Sequence, residues 1–281
     1  MNARAAPAEH DGRKPTLVDD PAPVTRELNE GVLRLTIANP PANALSEAVL
    51  AGLAEHLADA VDDDAVRVIV ITALGPVFSA GHDLKETTAH RADADGGREY
   101  YQTLLRQCSV VMRSIVRHPK PVIAEVGGLA TAAGCQLVAS CDLALASDKA
   151  TFCTPGVHIG LFCSTPMVAV SRTVHRKHAM EMLLTGEAID AATAREIGLI
   201  NRVVPEEYLR KLTDEYAKRI ASKSAATLKT GKAAFYRQVE MGLAEAYDHT
   251  VDVMSENMMA EDAKEGIGAF LEHRDPVWRD E

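Results

Sequence analysis

One stretch constrains the fold more than any other: Pro121 to Leu145, PVIAEVGGLATAAGCQLVASCDLAL. Val122, Ile123, Ala124 and Val126 make an apolar run of the length of a buried strand. Gly127 and Gly128 break it, and Ala130-Thr131-Ala132-Ala133-Gly134 carries almost no side-chain bulk. Gly134 to Ser140 predicts a short buried helix closed by Asp142, and Leu143 to Ala146 a further strand. The first amides of a helix are unpaired and carry the positive end of its dipole. A turn this bare lets a ligand oxygen approach them.

A second stretch repeats the design. Val68 to Ala73 reads as a strand, and the chain then runs to the small-residue turn Ser79-Ala80-Gly81. Two such turns can aim two main-chain N–H donors at one oxygen, the arrangement of an oxyanion hole. The same small residues would also serve tight packing alone.

At 281 residues the chain is long enough for a substantial core, and 47% apolar with 25% charged residues is ordinary for a globular protein. A formal net charge of -10 argues against nonspecific nucleic-acid binding. No apolar run approaches a membrane span, so no membrane partner is expected. The five cysteines (Cys108, Cys135, Cys141, Cys153 and Cys163) form no CxxC pair. Their odd number suggests free thiols and a cytoplasmic location.

In order, residues 1–25 are proline-rich, mixed in charge and without an apolar h-region, and read as a disordered tail. Val32 to Ala38 alternates like a strand. Ser46 caps a helix from Glu47 to about Val61. Val66 to Thr72 is the next strand, and Thr87 to Gly97 is polar and expected to be mobile. A helix runs from about Arg98 to Arg117, ended by His118-Pro119. Thr151 to Leu161 lines whatever pocket the central stretch makes. Met180 to Leu184, Ala191 to Ile197, Glu206 to Ile220, Leu228 to Gln238, Leu243 to Met259 and Ala263 to His273 are predicted helices. The fold class is α/β: a core over 26–207 and a helical region over 208–281.

FSAGHDLKE, KPVIAEVGGLATAAGCQLVASCDLALAS, FCTPGVHIGL and AMEMLLTGEAIDAATAREIGLINRVVP stand in this order in the sequence. In them the chain resembles the enoyl-CoA hydratase/isomerase (crotonase) family, collinearly from about Leu33 to Trp278. The resemblance implies a spiral core of ββα turns and a C-terminal helical region that assembles a homotrimer or a dimer of trimers. It implies an acyl-CoA thioester as substrate, with CoA entering as part of that substrate, no tightly bound cofactor and no metal. Carried over residue by residue, the oxyanion-hole amides fall on His82 and Ala133. The CoA-binding positions fall on Ala44, Ala80, Leu84 and Lys85, with Phe270 and His273 or Arg274 at the last helix.

The resemblance fails where proton transfer is done. Family hydratases carry glutamates in two slots, and here these hold Gln136 and Gly156. A carboxamide orients water but exchanges no proton at neutral pH, and glycine offers nothing. The family's PGAGG run is also missing: Leu161-Phe162-Cys163-Ser164-Thr165-Pro166 follows Gly160. Ala42 stands where the family has a basic residue, thinning the phosphate contacts.

Replacement groups are His82, whose AGHD setting is shared with family members that decarboxylate acyl-CoAs, and His158, if its loop bends inward. Either is also readable as a packed or solvated histidine. Asp83 reads as a helix cap, and Cys135 and Cys163 as nucleophiles only beside a base. By family the activity is an enoyl-CoA hydratase or isomerase of fatty-acid-type metabolism. By its residues, decarboxylation or thioester hydrolysis is easier to support, and a non-catalytic acyl-CoA-binding or scaffold protein is the alternative.

Overall fold

Two sheets meet at the site, and the chain crosses from one to the other on each turn of a spiral. The computed structural model describes residues 22–280. The larger sheet has the order β1 (Val24–Asn29), β2 (Val32–Ile37), β3 (Val68–Ala73), β5 (Val122–Val126), β7 (Leu143–Ser147), β10 (Arg202–Val204). Only the β1–β2 pair in it is antiparallel. The smaller sheet runs β4 (Val77–Ser79), β6 (Leu129–Thr131), β8 (Thr151–Cys153), β9 (Ile189–Asp190), parallel except for β8–β9.

Each turn thus lays one strand in the large sheet and one in the small sheet before a helix returns. β3 and β4 precede α2 (Leu84–Ala89) and α3 (Arg98–Arg117). β5 and β6 precede α4 (Ala133–Ser140), and β7 and β8 precede α5 (Pro166–Thr173) and α6 (Arg176–Thr185). The ββα spiral expected from resemblance is the observed architecture.

Burial explains why the β3 and β5 strands read as continuous apolar runs. Ile69 and Ile71 join the main core with Leu33, Leu35 and Phe78. Val68 and Val70 face the opposite way, into a second cluster with Ile123, Leu145 and Leu209. A parallel sheet covered on both faces loses its polar alternation. Leu209 belongs to α8 (Leu209–Ala221), which covers that second face, and α7 (Ala191–Glu196) leads into β10.

Three further helices complete the chain: α9 (Ala225–Gln238), α10 (Leu243–Met259) and α11 (Glu261–Glu272). Asp142 fastens α9 to the core. Its carboxylate accepts from the Val122 amide at 2.7 Å, from Lys232 Nζ at 2.6 Å and from the Tyr236 hydroxyl at 2.9 Å. Lys232 Nζ also donates to the carbonyls of Ile115 and Lys120. Burial lowers the Lys232 pKa, with Asp142 opposing the shift.

Three expectations need correction. The tail read as 1–25 ends earlier: residues 1–21 lie outside the described residues, and Val24 and Thr25 already pair with Ile37 and Thr36 in β1. Val24 is buried under α1 (Glu47–Asp59), which gives the strand its anchor. The polar stretch Thr87 to Gly97 is structured rather than irregular. Asp83 Oδ1 caps α2 by accepting from Lys85 N at 2.7 Å, and a 3-10 turn follows at His90–Ala92. The His90 ring stacks on Tyr100 with centroids 3.6 Å apart. Helix α5 was also unforeseen, because Pro166 starts it and a proline at the first helical turn resembles a break.

Candidate active site

The strands of the small sheet aim three loops at one place. β4 and β6 pair Ser79 with Ala130, and β6 and β8 pair Thr131 with Cys153, all parallel. His82 therefore leaves the sheet three residues past Ser79, Ala133 two past Thr131 and Gly156 three past Cys153. All three emerge at the carboxyl ends of parallel strands, where open α/β sheets bind ligands.

The turns before His82 and Ala133 touch. Gly81 has φ +83°, and a β-carbon built on it would lie 3.0 Å from Ala132 Cβ and 3.2 Å from Ala133 N. Gly134 lies closer still to the other turn, because a β-carbon there would stand 2.4 Å from the Ser79 carbonyl oxygen. Ala132 holds φ +50° and ψ −115°, a conformation costly for a residue with a side chain. Its amide donates to the Cys153 carbonyl at 3.0 Å, tying the strained turn to β8.

The turn before His82 is fixed from its other side. Ala80 N donates to Ala42 O at 3.0 Å, and Leu45 N donates to Gly81 O at 2.7 Å within a parallel Leu45–His82 bridge. Asn43 holds this segment by donating its carboxamide to the carbonyls of Leu74 and Val77. Among the described residues the main-chain amides of His82 and Ala133 have no hydrogen-bond acceptor. Two unpaired donors on adjoining turns fit one oxygen between them.

The side chains on the two hole segments include an imidazole, His82, and a carboxamide, Gln136. Both ring nitrogens of His82 are buried without a partner. Burial lowers its pKa, and the Leu45 carbonyl, outside good hydrogen-bond geometry, opposes that only in part. Gln136, on the first turn of α4, is 4% exposed, and its Oε1 is buried and unpartnered. No carboxylate stands at either glutamate slot.

The Gly156 slot is closed rather than empty. A β-carbon at Gly156 would meet Cys163 Sγ and the Leu161 carbonyl oxygen at 3.0 Å each. His158 does not reach the pocket, which corrects that expectation. Its ring is exposed and its Nε2 lies 2.9 Å from the Thr185 carbonyl at the end of α6. Cys135 and Cys163 do not qualify as nucleophiles, because burial pushes both thiols up and holds them protonated.

Ala44 and Ala80 lie on the two segments bound together beside the hole. Leu84 and Lys85 open α2 immediately after it, both exposed. Phe270 is exposed on α11, and His273 follows that helix at φ +56°. Arg274 beside it is occupied by Glu265 and Glu272. Sequence reasoning missed the clamp made by Asn43 and the covering of Gly156 by Cys163. The first had a signal, since a lone asparagine after two prolines suits a left-handed turn. A shallow surface cavity of about 360 Å³, lined by Arg172, Thr173, His175 and Glu196 among others, shares no residue with this site.

The family model for enoyl-CoA hydratase/isomerase matches residues 27–281. The chain belongs to the enoyl-CoA hydratase/isomerase family. A human relative, enoyl-CoA hydratase domain-containing protein 3, mitochondrial, is 49% identical over 93% of this chain and 85% of its own. A crystal structure of that human protein superposes with a TM-score of 0.86 at 48% identity, covering 91% of this chain and all (100%) of the other. The crystal structure of an enoyl-CoA hydratase from Mycobacterium smegmatis gives the same TM-score of 0.86 at 48% identity, with 91% and 98% coverage. These likenesses carry the crotonase-type fold and its helical C-terminal region.

One expectation falls with these comparisons. The human, rat and mouse relatives are all named mitochondrial, against the cytoplasmic location read from the cysteines. Unpaired thiols separate reducing from oxidising compartments, and they do not distinguish one reducing compartment from another.

Proposed function

We propose that this enoyl-CoA hydratase/isomerase family member binds an acyl-CoA thioester with its carbonyl oxygen between the amides of His82 and Ala133, and stabilises the thioester enolate there. The observation that carries the reading is the pair of unpartnered amides on two turns packed so closely that a β-carbon on Gly81 would lie 3.2 Å from the Ala133 nitrogen. Electron density pushed onto the thioester oxygen gains two preformed hydrogen bonds at no reorganisation cost.

Water addition to an enoyl thioester also needs a group to deprotonate water. Gln136 and Gly156 supply none, so the reaction the site favours is one whose electrons reach the enolate without a base. Decarboxylation of an acyl group bearing its own carboxylate meets that condition. The C–CO₂⁻ bond breaks, its electron pair forms the enolate, carbon dioxide leaves, and a proton is added at Cα. Thioester hydrolysis fits less well, because the thiols are held protonated and the attacking water has no ionised base. Lys85 with the Ala44, Ala80 and Leu84 main chain would border the CoA portion, and Phe270 and His273 would serve a neighbouring subunit's CoA. Phe235, Tyr247, Val251, Met254, Met258 and Phe270, all exposed along α9 to α11, support assembly as a trimer or a dimer of trimers through these helices. Bound CoA would enter and leave with the acyl group, and no metal is required.

The test is calorimetry with acetoacetyl-CoA, followed by mass spectrometry of a panel of acyl-CoAs that includes malonyl-type thioesters. Binding with loss of carbon dioxide is expected. No binding at millimolar ligand would overturn the reading, and binding with no change in any acyl-CoA would leave a non-catalytic acyl-CoA-binding protein.

A further inference from the structure

An enolate, however made, must be protonated at its α-carbon, and neither Gln136 nor Gly156 can deliver that proton. The group standing against the second slot is a thiol. Cys163 Sγ and Cys163 N come within 3.0 and 3.3 Å of where a β-carbon on Gly156 would lie. Leu161 N donates to the Gly156 carbonyl at 2.9 Å, which folds this loop back over the slot. The Gly156 amide faces the Cys163 sulfur.

The slot belongs to the hole. Through the Thr131–Cys153 register, Gly156 leaves the same end of the small sheet as Ala133. Gln136 lies on the first turn of α4, which Ala133 opens. On that turn Gln136 Oε1 is buried with no partner, an acceptor that the protein alone leaves unsatisfied. An orphaned acceptor and a free amide open α4, and a thiol fills the second slot at the same end of the small sheet.

We propose that Cys163 is the proton donor to the α-carbon of the enolate held by His82 and Ala133, an inference that rests on the function proposed above. The S–H bond breaks, the enolate's electron pair forms the new Cα–H bond, and the thioester carbonyl returns. The thiolate left behind faces the Gly156 N–H and recovers its proton from water. Burial pushes the Cys163 thiol up, which keeps it loaded as an acid at neutral pH. Gln136 has the positioning role of accepting a hydrogen bond from a water beside the acyl group.

Microscopic reversibility gives the experiment. The donor to the enolate, in its thiolate form, is also the base that exchanges α-hydrogens of a bound saturated thioester, so exchange should quicken as the pH is raised. Butanoyl-CoA is incubated in D₂O with the full chain and with C163A, C163S and C135A, and deuterium at Cα is followed by mass spectrometry beside calorimetric binding. The wild type is expected to exchange, C163A to lose about 10²-fold in exchange rate with binding intact, and C135A to exchange as the wild type does. C163S, the gentler change should C163A fold poorly, is expected to exchange slowly, since a hydroxyl is the weaker acid. Exchange by C163A or C163S at the wild-type rate would overturn the assignment, as would a wild type that binds butanoyl-CoA without exchanging it. Failure of the wild type to bind any acyl-CoA would overturn the underlying function as well.

Discussion

Gly81 and Ala133, 52 positions apart in the sequence, are packed so closely that a single methyl group at Gly81 would sit 3.2 Å from the Ala133 amide nitrogen. Gly81→Ala therefore places carbon against an oxyanion-hole donor, in a left-handed conformation that favours glycine. The expected outcome is a turnover loss of about 10²-fold or more, measured with whichever thioester the panel identifies. Calorimetry should show acyl-CoA binding lost, while free CoA still binds through its own contacts.

The second slot invites a simple repair, Gly156→Glu, and the structure argues that it fails. The new side chain begins 3.0 Å from both Cys163 Sγ and the Leu161 carbonyl oxygen, too tight for the longer glutamate to extend without moving the loop. Displacing main chain in this way destabilises by about 1–3 kcal/mol or more, and no hydratase should emerge. Gly156→Ala should cost less, and part of its cost should vanish in a Cys163→Ala background, because that removes the sulfur and leaves the Leu161 carbonyl and Cys163 amide contacts. Urea denaturation of the two single variants and the double variant measures the coupling.

Asp142 and Lys232 make the joint between the core and the helical region. Lys232→Met leaves the Asp142 carboxylate without its cation in a largely buried place. A loss of about 3–5 kcal/mol is expected for breaking such a pair. If urea unfolding instead showed a change below about 0.5 kcal/mol, as for surface pairs, the joint would be held by apolar packing alone.

Burial lowers the pKa of His82 and of His118. With the folded value depressed, the unfolded chain takes up these protons first as pH falls. Stability is then complete above the ordinary histidine value of about 6.5 and declines as the pH drops through the folded values. The unfolding free energy measured from pH 8 to pH 5 should be level at first and fall below about 6.5. His82→Asn should shrink that fall by up to one proton's worth, about 1.4 kcal/mol per pH unit.

The exposed apolar residues of α9 to α11 predict association. Light scattering at micromolar concentration should give three or six times the 30.2 kDa chain mass. Charging the face, for example with Met254→Glu and Phe270→Glu together, should return a monomer.

Much of the site was legible because backbone approach demands small residues, and Gly81, Ala132, Ala133 and Gly134 are small in the sequence. The missing carboxylates at 136 and 156 were legible for the same reason that they matter, since no other residue type does their work. Closure of Gly156 was not, because it depends on how the loop from Leu161 to Cys163 folds back, which no local pattern encodes. Nor was β1, whose residues after Val24 are all exposed and which exists through its pairing with β2. The polar stretch after Lys85 misled in a different way. Polarity reports exposure, and the Asp83 cap and the His90–Tyr100 stack show that an exposed segment can still be ordered.

The most direct measurement of the central claim uses the unmodified protein and crotonyl-CoA. Two free amides with no group to deprotonate water predict that the thioester binds, and that mass spectrometry then finds no gain of one water across many enzyme equivalents. Hydration at an ordinary enzyme turnover, roughly 1–10³ per second, would contradict the account, since a base would then be at work that neither Gln136 nor Gly156 provides.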